Sequence, residues 1–534
     1  MYKMKRNNKI YYALFLLGVI SFSSCDDFLD EMPDNRAEID SEYKVEKLLV
    51  SAYPENTFIM VTEMSSDNVD DYGENNPNTD RFVDEVYHWQ DGTESDNESP
   101  ESFWEASYKA IAVANQALQA ISELPDSSTT AMKEAKGEAL LCRAYNHFML
   151  VNFFCMNYNT KTSKTDLGIP YMEHPETTLK PEYTRGNVAD VYAKIERDLL
   201  EGLSLVGESY YEQPKYHFNK KAAYAFAARF FLFYEKWDKA RDYASLVLGS
   251  QPSLMLRDWK YQATMTQEYE AIVNHYISSS LNCNLILNTS LSAVGLAFGP
   301  YKYYTRYSHG AYLANYETGN AQNIWGGSPR NDYYSPMKIY SATNLDRTIF
   351  WKLPYLFEET DPIAQIGYYR TVYPAFTGDE TLLIRAEANV MLKDYDAACE
   401  DLTLWLHNIY KTNYVFTPAK VTTFYNSKKY SYEDEAKIAS TIKKHLNPAF
   451  EIDVEGSTQE CMLQCVLGVR RIETLQTGLR WFDIKRYGIE IVRRIMDDKG
   501  NPVTLVDVLK KDDKRRAIQI PQKVRSAGIE ANPR

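Results

Sequence analysis

The sequence predicts a mainly α-helical protein with one loop-rich, aromatic-rich interruption, and three observations carry that prediction. Apolar residues recur at three- and four-residue intervals over most of the chain, the spacing of one helix face. Two distant stretches align residue for residue. AAYAFAARFFLFYEKWDKARDYASLVL (222–248) and TLLIRAEANVMLKDYDAACEDLTLWL (381–406) place Ala228 on Ala386, Trp237 on Tyr395 and Ala240 on Ala398. Between them, residues 249–377 lose the helical period and fill with Tyr, Asn, Ser, Gly and Pro. Small residues on one helix let its partner approach, and an aromatic at the turn fills the gap. That is the tetratricopeptide-like hairpin, here degenerate and irregularly spaced. The expectation is a helical-hairpin scaffold supporting a loop-rich ligand-binding subdomain.

The elements follow in chain order. Residues 1–9 are basic, 11–20 form a short apolar run, and Ser21, Ser23 and Ser24 lead into Cys25. This is the layout of an export signal, too short to span a bilayer comfortably. A Cys directly after the small residues predicts lipidation of Cys25 and an anchored protein. Residues 1–24 are then a leader and 25–40 a tether. A helix is predicted over 41–53, stopped by Pro54. The acidic loop 65–100 holds Asp67, Asn68, Asp70, Asp71, Tyr72 and Trp89. Val69 interrupts the alternation of oxygen ligands that a calcium loop needs, so no metal is expected there. Helices are predicted from 101 to Pro125, and over 130–155, 188–205, 219–234, 237–248, 379–392, 395–409 and 459–476, with a short amphipathic piece at 479–488. The expected regions are 41–248, the aromatic segment 249–377, and 378–534.

Composition narrows the function. The chain has 534 residues and 44% apolar content, enough for a sizeable core. Its formal charge of −14 falls to about −18 when Lys3, Lys5, Arg6 and Lys9 leave with the leader. A nucleic-acid partner, which requires a basic face, is not expected. Tyr (42) outnumbers Phe (22) and Trp (8) together. A buried Tyr hydroxyl needs a partner, so much of this Tyr is expected at surfaces, grooves and interfaces. Seven Cys show no CxxC; Cys461 and Cys465, four apart on a helix, read as core residues.

Four segments resemble one family, the SusD/RagB-type nutrient-uptake outer-membrane lipoproteins of Bacteroidetes. They are Ser24-Cys25-Asp26-Asp27-Phe28-Leu29-Asp30; Trp104, Tyr108, Ile111, Ala114 and Asn115 at the spacing W-x-x-x-Y-x-x-I-x-x-A-N; residues 137–155 with Gly168-Ile169-Pro170; and residues 470–488 with Ile520-Pro521 and Asn532-Pro533. The chain departs from the family at Val469, where Glu is common, and at Gln476-Thr477-Gly478, where Phe-Glu-Gly is common. The resemblance implies tetratricopeptide-like helices beneath a loop-rich binding half. It implies a SusC-type TonB-dependent transporter as partner, with the lipoprotein as its lid. It also implies surface export, signalled by Asp26 and Asp27.

Three functions compete: a non-catalytic oligosaccharide-binding protein, an oligopeptide-binding protein of the RagB branch, and a surface glycan-acting enzyme. The chain lacks HExxH, GxSxG and a Walker loop, which weighs against hydrolase and nucleotide chemistry. A carboxylate pair leaves no local motif. No catalytic residue, metal or cofactor is expected. A sugar offers an apolar C–H face to an aromatic ring and hydroxyls to polar neighbours. The candidate contacts are Asp67, Asn68, Tyr72 and Trp89 in the early acidic loop, with Trp325, Tyr333, Tyr334 and Trp351 in the middle segment.

Overall fold

The computed structural model describes residues 39–176, 183–326, 333–334 and 337–534. The leader, Cys25 and the tether through residue 38 lie outside the described residues. Residues 1–41 separate from a second unit, Glu42–Arg534, which holds everything that follows. Among the described residues no helix is long and apolar enough to cross a membrane.

Capping chemistry sets the helix starts in the first part. α1 (Glu42–Leu49), α2 (Ile59–Ser65) and α3 (Arg81–Tyr87) lead to α4 (Pro100–Glu123), α5 (Thr130–Phe154) and α6 (Val188–Leu205). Side chains of Ser99, Thr129 and Asn187 accept from the first-turn N–H groups of Ser102, Met132 and Asp190, satisfying donors that the helix cannot. α4 packs on α5 and α5 on α6. The second contact is close because Gly137 faces α6: a Cβ there would sit 2.7 Å from the Val206 nitrogen. α1 is shorter than predicted, since the chain turns at Ser51 and Ala52, which bond back to Leu48 and Leu49.

The internal repeat holds at the level of the backbone. α7 (Lys220–Phe233) and α8 (Trp237–Leu248) form one hairpin; α13 (Gly378–Met391) and α14 (Tyr395–Ile409) form the other. The joints carry a left-handed residue at aligned positions, Glu235 (φ 59°) and Lys393 (φ 63°). The closing bonds also align: Tyr234 N–H donates to Phe230 O as Leu392 N–H does to Ala388 O, and Lys236 N–H to Phe231 O as Asp394 N–H to Asn389 O. α8 packs against α13, so the two hairpins stack as repeat units do.

The interruption is less irregular than the sequence suggests. It contains α9 (Trp259–Thr264), α10 (Tyr269–Tyr276), α11 (Val294–Ala297) and α12 (Ala311–Tyr316). It also supplies strands. β2 (Asn284–Leu291) and β6 (Leu356–Asp361) flank the twelve-residue β7 (Ile366–Thr377), both antiparallel to it. β4 (Lys338–Ala342) and β5 (Leu345–Ile349) make a hairpin. A third sheet crosses the whole unit in the order β3-β1-β8-β9. It joins β1 (Asp70–Asp71) and β3 (Tyr307–Ser308) to β8 (Ile491–Met496) and β9 (Pro502–Leu509). The chain closes with α15 (Pro418–Asn426), α16 (Thr458–Glu473), α17 (Arg480–Arg486) and α18 (Gln522–Ser526).

The three motif segments that lie among the described residues clamp one another. Tyr108 donates to Pro170 O at 2.8 Å and Asn115 to Met172 O at 3.1 Å, tying α4 to the loop after α5. Arg143 reaches Asp198 at 2.6 Å and Asn115 Oδ1 at 3.0 Å. Glu138 accepts from Tyr53 at 2.6 Å and lies 2.7 Å from His217 Nδ1. Arg185 bridges Gly168 O and Asn532 Oδ1, and Asn532 donates to Phe154 O. Lys485 caps the end of α5 through Asn152 O and Cys155 O. These residues hold the scaffold shut.

Candidate ligand-binding site

The early acidic loop and the middle segment meet along one seam. β1 pairs with β3 through Asp70↔Ser308 and Asp71↔Tyr307. Arg306 forks Asp71 at 2.9 and 3.2 Å. Tyrosine hydroxyls bind the loop's carboxylates: Tyr304 to Asp80 at 2.6 Å, Tyr307 to Asp84 at 2.6 Å, and Tyr72 in the reverse sense to Asp346 at 2.8 Å. The Tyr surplus is thus partly internal, with acidic residues as acceptors.

Behind the seam lies a buried charge network. Arg480 forks Asp67 at 2.9 Å to each oxygen, and Arg471 reaches Glu317 at 2.6 Å and Asn68 Oδ1 at 2.8 Å. Lys444 also pairs with Glu317, at 2.7 Å, and Arg494 forks Asp70 at 2.9 and 3.2 Å. Burial pushes the Asp67 and Glu317 carboxyls up. The surrounding cations outweigh it (Arg471 and Arg480 for Asp67; Lys444, Arg471 and Arg494 for Glu317), holding both well below the usual carboxylate range. Burial, with Arg471 adding to it, lowers His309 to about 4; its ring joins Asn68 O to Thr318 Oγ1.

Four of the nominated residues belong to this interior. Asp67, Asn68, Trp89 and Tyr333 are 5%, 0%, 4% and 1% exposed. Trp89 donates to Ser65 O at 2.9 Å and lies under Arg493, whose guanidinium is 4.2 Å from the ring centroid. Tyr333 bonds the Tyr410 hydroxyl and tilts against its ring at 4.1 Å. The expectation that these four meet a ligand directly is not met by their placement: their polar atoms already serve the fold. Trp325 is half-buried against Tyr410 and Phe416. Tyr334 is half-buried with Lys260 and Lys411 over its ring. Tyr72 and Trp351 are also half-buried.

Trp351 leads into a row of rings that sequence reasoning did not assemble. Successive centroids run Trp351–Tyr269 at 5.9 Å, Tyr269–Tyr301 at 5.9 Å, Tyr301–Tyr355 at 5.9 Å, Tyr355–Tyr369 at 5.4 Å and Tyr369–Phe357 at 5.5 Å. Tyr269 is buried and donates to Leu353 O at 2.6 Å. Tyr301 and Tyr355 are half-buried; Tyr369 and Phe357 are 41% and 42% exposed. Lys338 sits 4.6 Å over Trp351 and bonds Gln267 at 3.0 Å.

Rigid elements carry the row. Tyr369 and Phe357 face each other across the β6–β7 register, on the same side because strand side chains alternate. Buried Arg347 donates to the carbonyls of Gly299, Tyr301 and Tyr303, fixing the loop that bears Tyr301; burial lowers its guanidinium to about 9. Thr371 donates to Pro354 O at 2.9 Å, and Gly295 approaches the same carbonyl so closely that a Cβ would lie 2.3 Å from it. The arrangement presents a rigid, part-exposed aromatic strip with an ammonium at one end. The signal in the sequence for Tyr369 is the β-rich composition of IGYYRTVYPAFT; Phe357, in LFEETD, lies outside it.

Residues 27–232 match a family of SusD-like proteins described as starch-binding and associating with the outer membrane. No curated protein matches the chain. Among solved structures, a SusD-like carbohydrate binding protein from Bacteroides vulgatus is similar, with a TM-score of 0.58 at 15% identity, over 91% of this chain and 96% of that one. A SusD superfamily protein from the same organism gives 0.60 at 19%, over 92% and 99%. A laminarin binding SusD-like protein gives 0.53 at 16%, over 92% and 98%. At these identities the likeness speaks for the fold. The family's sequence pattern thus covers residues 27–232, and the fold of SusD-like proteins extends over nearly the whole length.

Proposed function

We propose that this protein is a non-catalytic, lipid-anchored surface protein that captures oligosaccharide and delivers it to a SusC-type TonB-dependent transporter. The observation that carries the reading is the row Trp351–Tyr269–Tyr301–Tyr355–Tyr369–Phe357, part-exposed at every ring but Tyr269, on rigid supports. Rings on a fixed strip cover the C–H faces of successive sugars without first being ordered, so little binding energy is lost to entropy. The family description as starch-binding and the laminarin-binding neighbour support a glycan as the ligand. Cys25, following a leader-like segment, supplies the anchor, and Asp26 with Asp27 the export signal. Of the nominated contacts, Trp351, Tyr72, Tyr334 and Trp325 keep surface to offer.

Peptide is the second reading, and one observation favours it. β6 is an edge strand, paired on one side only, and all six of its residues are exposed. An extended peptide can add to such an edge through its backbone. Calorimetric titration of the purified protein with a panel of α- and β-glucan oligosaccharides and with a mixed tryptic peptide pool separates the two. Heat from a glucan and none from peptides supports the first reading; the reverse supports the second. For the anchor and the delivery step, Cys25→Ala should leave binding in vitro intact and abolish surface retention and uptake in cells.

A further inference from the structure

Charge is divided unevenly along the aromatic row. At the Trp351 end, the part-exposed Lys338 holds its ammonium 4.6 Å from the Trp351 ring centroid and donates to the exposed Gln267 Oε1 at 3.0 Å. That uses one of its three donors. Burial lowers its pKa, and no carboxylate acts against that shift. Lys260 and Lys411 lie over the Tyr334 ring, 5.2 and 5.9 Å from its centroid. Both are exposed, and neither has an ion pair among the described residues. Trp259 and Tyr333 pack on Phe350, the residue before Trp351, so their chain neighbours Lys260 and Tyr334 flank the same end.

The Phe357 end carries the opposite sign. β6 reads LFEETD, and all six of its residues are exposed. Glu358 is matched by Arg370. Glu359 and Asp361 have no cationic partner among the described residues; Asp361 accepts only from the turn, through Ile363 and Ala364 N–H. Glu270 is exposed at the middle of the row, where burial and then its carboxylate raise the Tyr301 hydroxyl. The row thus runs from lysines without carboxylates to carboxylates without cations. In a chain of formal charge −14, three lysines left unmatched at one end are not accounted for by ion pairing within the fold.

We propose that the glycan taken by this row carries an anionic group, a carboxylate or a sulfate, seated against Lys338 at the Trp351 end, with its neutral sugars on Tyr301, Tyr355, Tyr369 and Phe357. The inference rests on the glycan reading of the row and adds to it a charge and a direction. An ammonium donates charge-assisted hydrogen bonds to either anion. Gln267 and Trp351 hold the Lys338 ammonium before a ligand arrives, so little is lost in ordering it. Lys260 and Lys411 add attraction at longer range, which salt screens. Glu359 and Asp361 repel an anion at the far end and so favour one orientation of the chain of sugars over the other.

The test is calorimetric titration at low ionic strength with α- and β-glucan oligosaccharides, with the same oligosaccharides carrying one carboxylate at either end, and with the same carrying one sulfate. At least one acidic form binds roughly fivefold or more tightly than its neutral counterpart, and the gain shrinks as salt is raised. The carboxylate and sulfate arms tell which anion is taken. Lys338→Gln brings acidic and neutral affinities to within about twofold of each other, the loss of the charge-assisted contact. Lys338→Arg, which keeps the charge, retains most of the gain. Lys133→Gln removes the same charge from an exposed position on α5 and leaves the gain unchanged. If neutral glucans bind and no acidic form binds more tightly, or if Lys338→Gln keeps the gain, this inference is overturned while the glycan reading stands. If neither neutral nor acidic forms bind, both fall.

Discussion

The helical hairpins and the loop-rich half of this protein are held together by different physics. In the hairpins α7–α8 and α13–α14 most buried contacts are apolar and close in sequence, with Ala228 and Ala386 fully buried at aligned positions and aligned left-handed residues closing each joint; Arg385–Asp401 within the second hairpin and Arg229–Glu380 between the two add charged ties. In the loop-rich half the ties are charged and distant. Asp67 binds Arg480, Asp70 binds Arg494, and Glu317 binds Arg471 and Lys444, all buried. Helical period is a local code. A buried ion pair between residues hundreds apart has no local signature, yet it fixes where β1, β3 and the Tyr-bearing loops lie. The scaffold thus supplies shape, and the charge network positions the loop-rich half upon it.

That contrast can be broken most sharply at Arg471. Arg471→Leu leaves Asp67 short of one partner and Glu317 of another, and should cost about 3–5 kcal/mol in urea unfolding. A cost near that of a surface change would mean the network is not what holds the half in place. The acid limb of stability should change with it. The Asp67 and Glu317 carboxyls sit below their unfolded range, so they favour folding above that range and lose the effect as pH falls through it. Arg471→Leu should flatten that loss.

The repeat predicts equality where the network predicts none. Ala228→Leu and Ala386→Leu each force a branched side chain into a filled hairpin and should cost about 1–3 kcal/mol, by similar amounts. Unequal costs would mean that the alignment is superficial. A smaller effect distinguishes Glu98, whose carboxyl accepts from Ala293 N–H and from Ser292 at 3.1 Å. Burial pushes it up to about 7 from an ordinary 4.5. A raised carboxyl holds its proton in the fold, so its contribution is full below the ordinary value and is lost as pH rises through about 7. Glu98→Gln should remove that slope from a pH series of melting temperatures. Smallest of all, Lys393→Gly relieves a left-handed non-glycine joint and should stabilise by about 0.5–1 kcal/mol. Its exposed pair with Asp453 contributes little.

The same contrast explains what could be read in advance. The bounds of α6, α8 and α14 follow directly from apolar spacing, and α4 and α5 to within a residue, because caps and period are local. The spacing of Tyr108, Asn115, Arg143 and Gly168 carries a family resemblance in the sequence, and the same residues form clamps in the fold. β7 and β8 were missed, since their pairing partners lie far away along the chain. The nomination of Asp67, Asn68, Trp89 and Tyr333 rests on residue chemistry, and their burial has no local signature: arginines remote in sequence take up Asp67 and Asn68 and cover Trp89. Tyr355, Tyr369 and Phe357 carried no motif at all. Only a β6–β7 register brings the last two together.

The central claim is that the loop-rich half presents an aromatic row that binds glycan while the scaffold and the charge network carry stability. Glycan titration of the protein against its Tyr355→Ala/Tyr369→Ala variant, with urea unfolding of both, tests it most directly. The account predicts that the parent binds at least one glucan oligosaccharide, that the variant binds it roughly tenfold or more weakly, about 1.4 kcal/mol, and that the unfolding midpoints differ little. No glucan binding by the parent, or equal affinity in the variant, would contradict it.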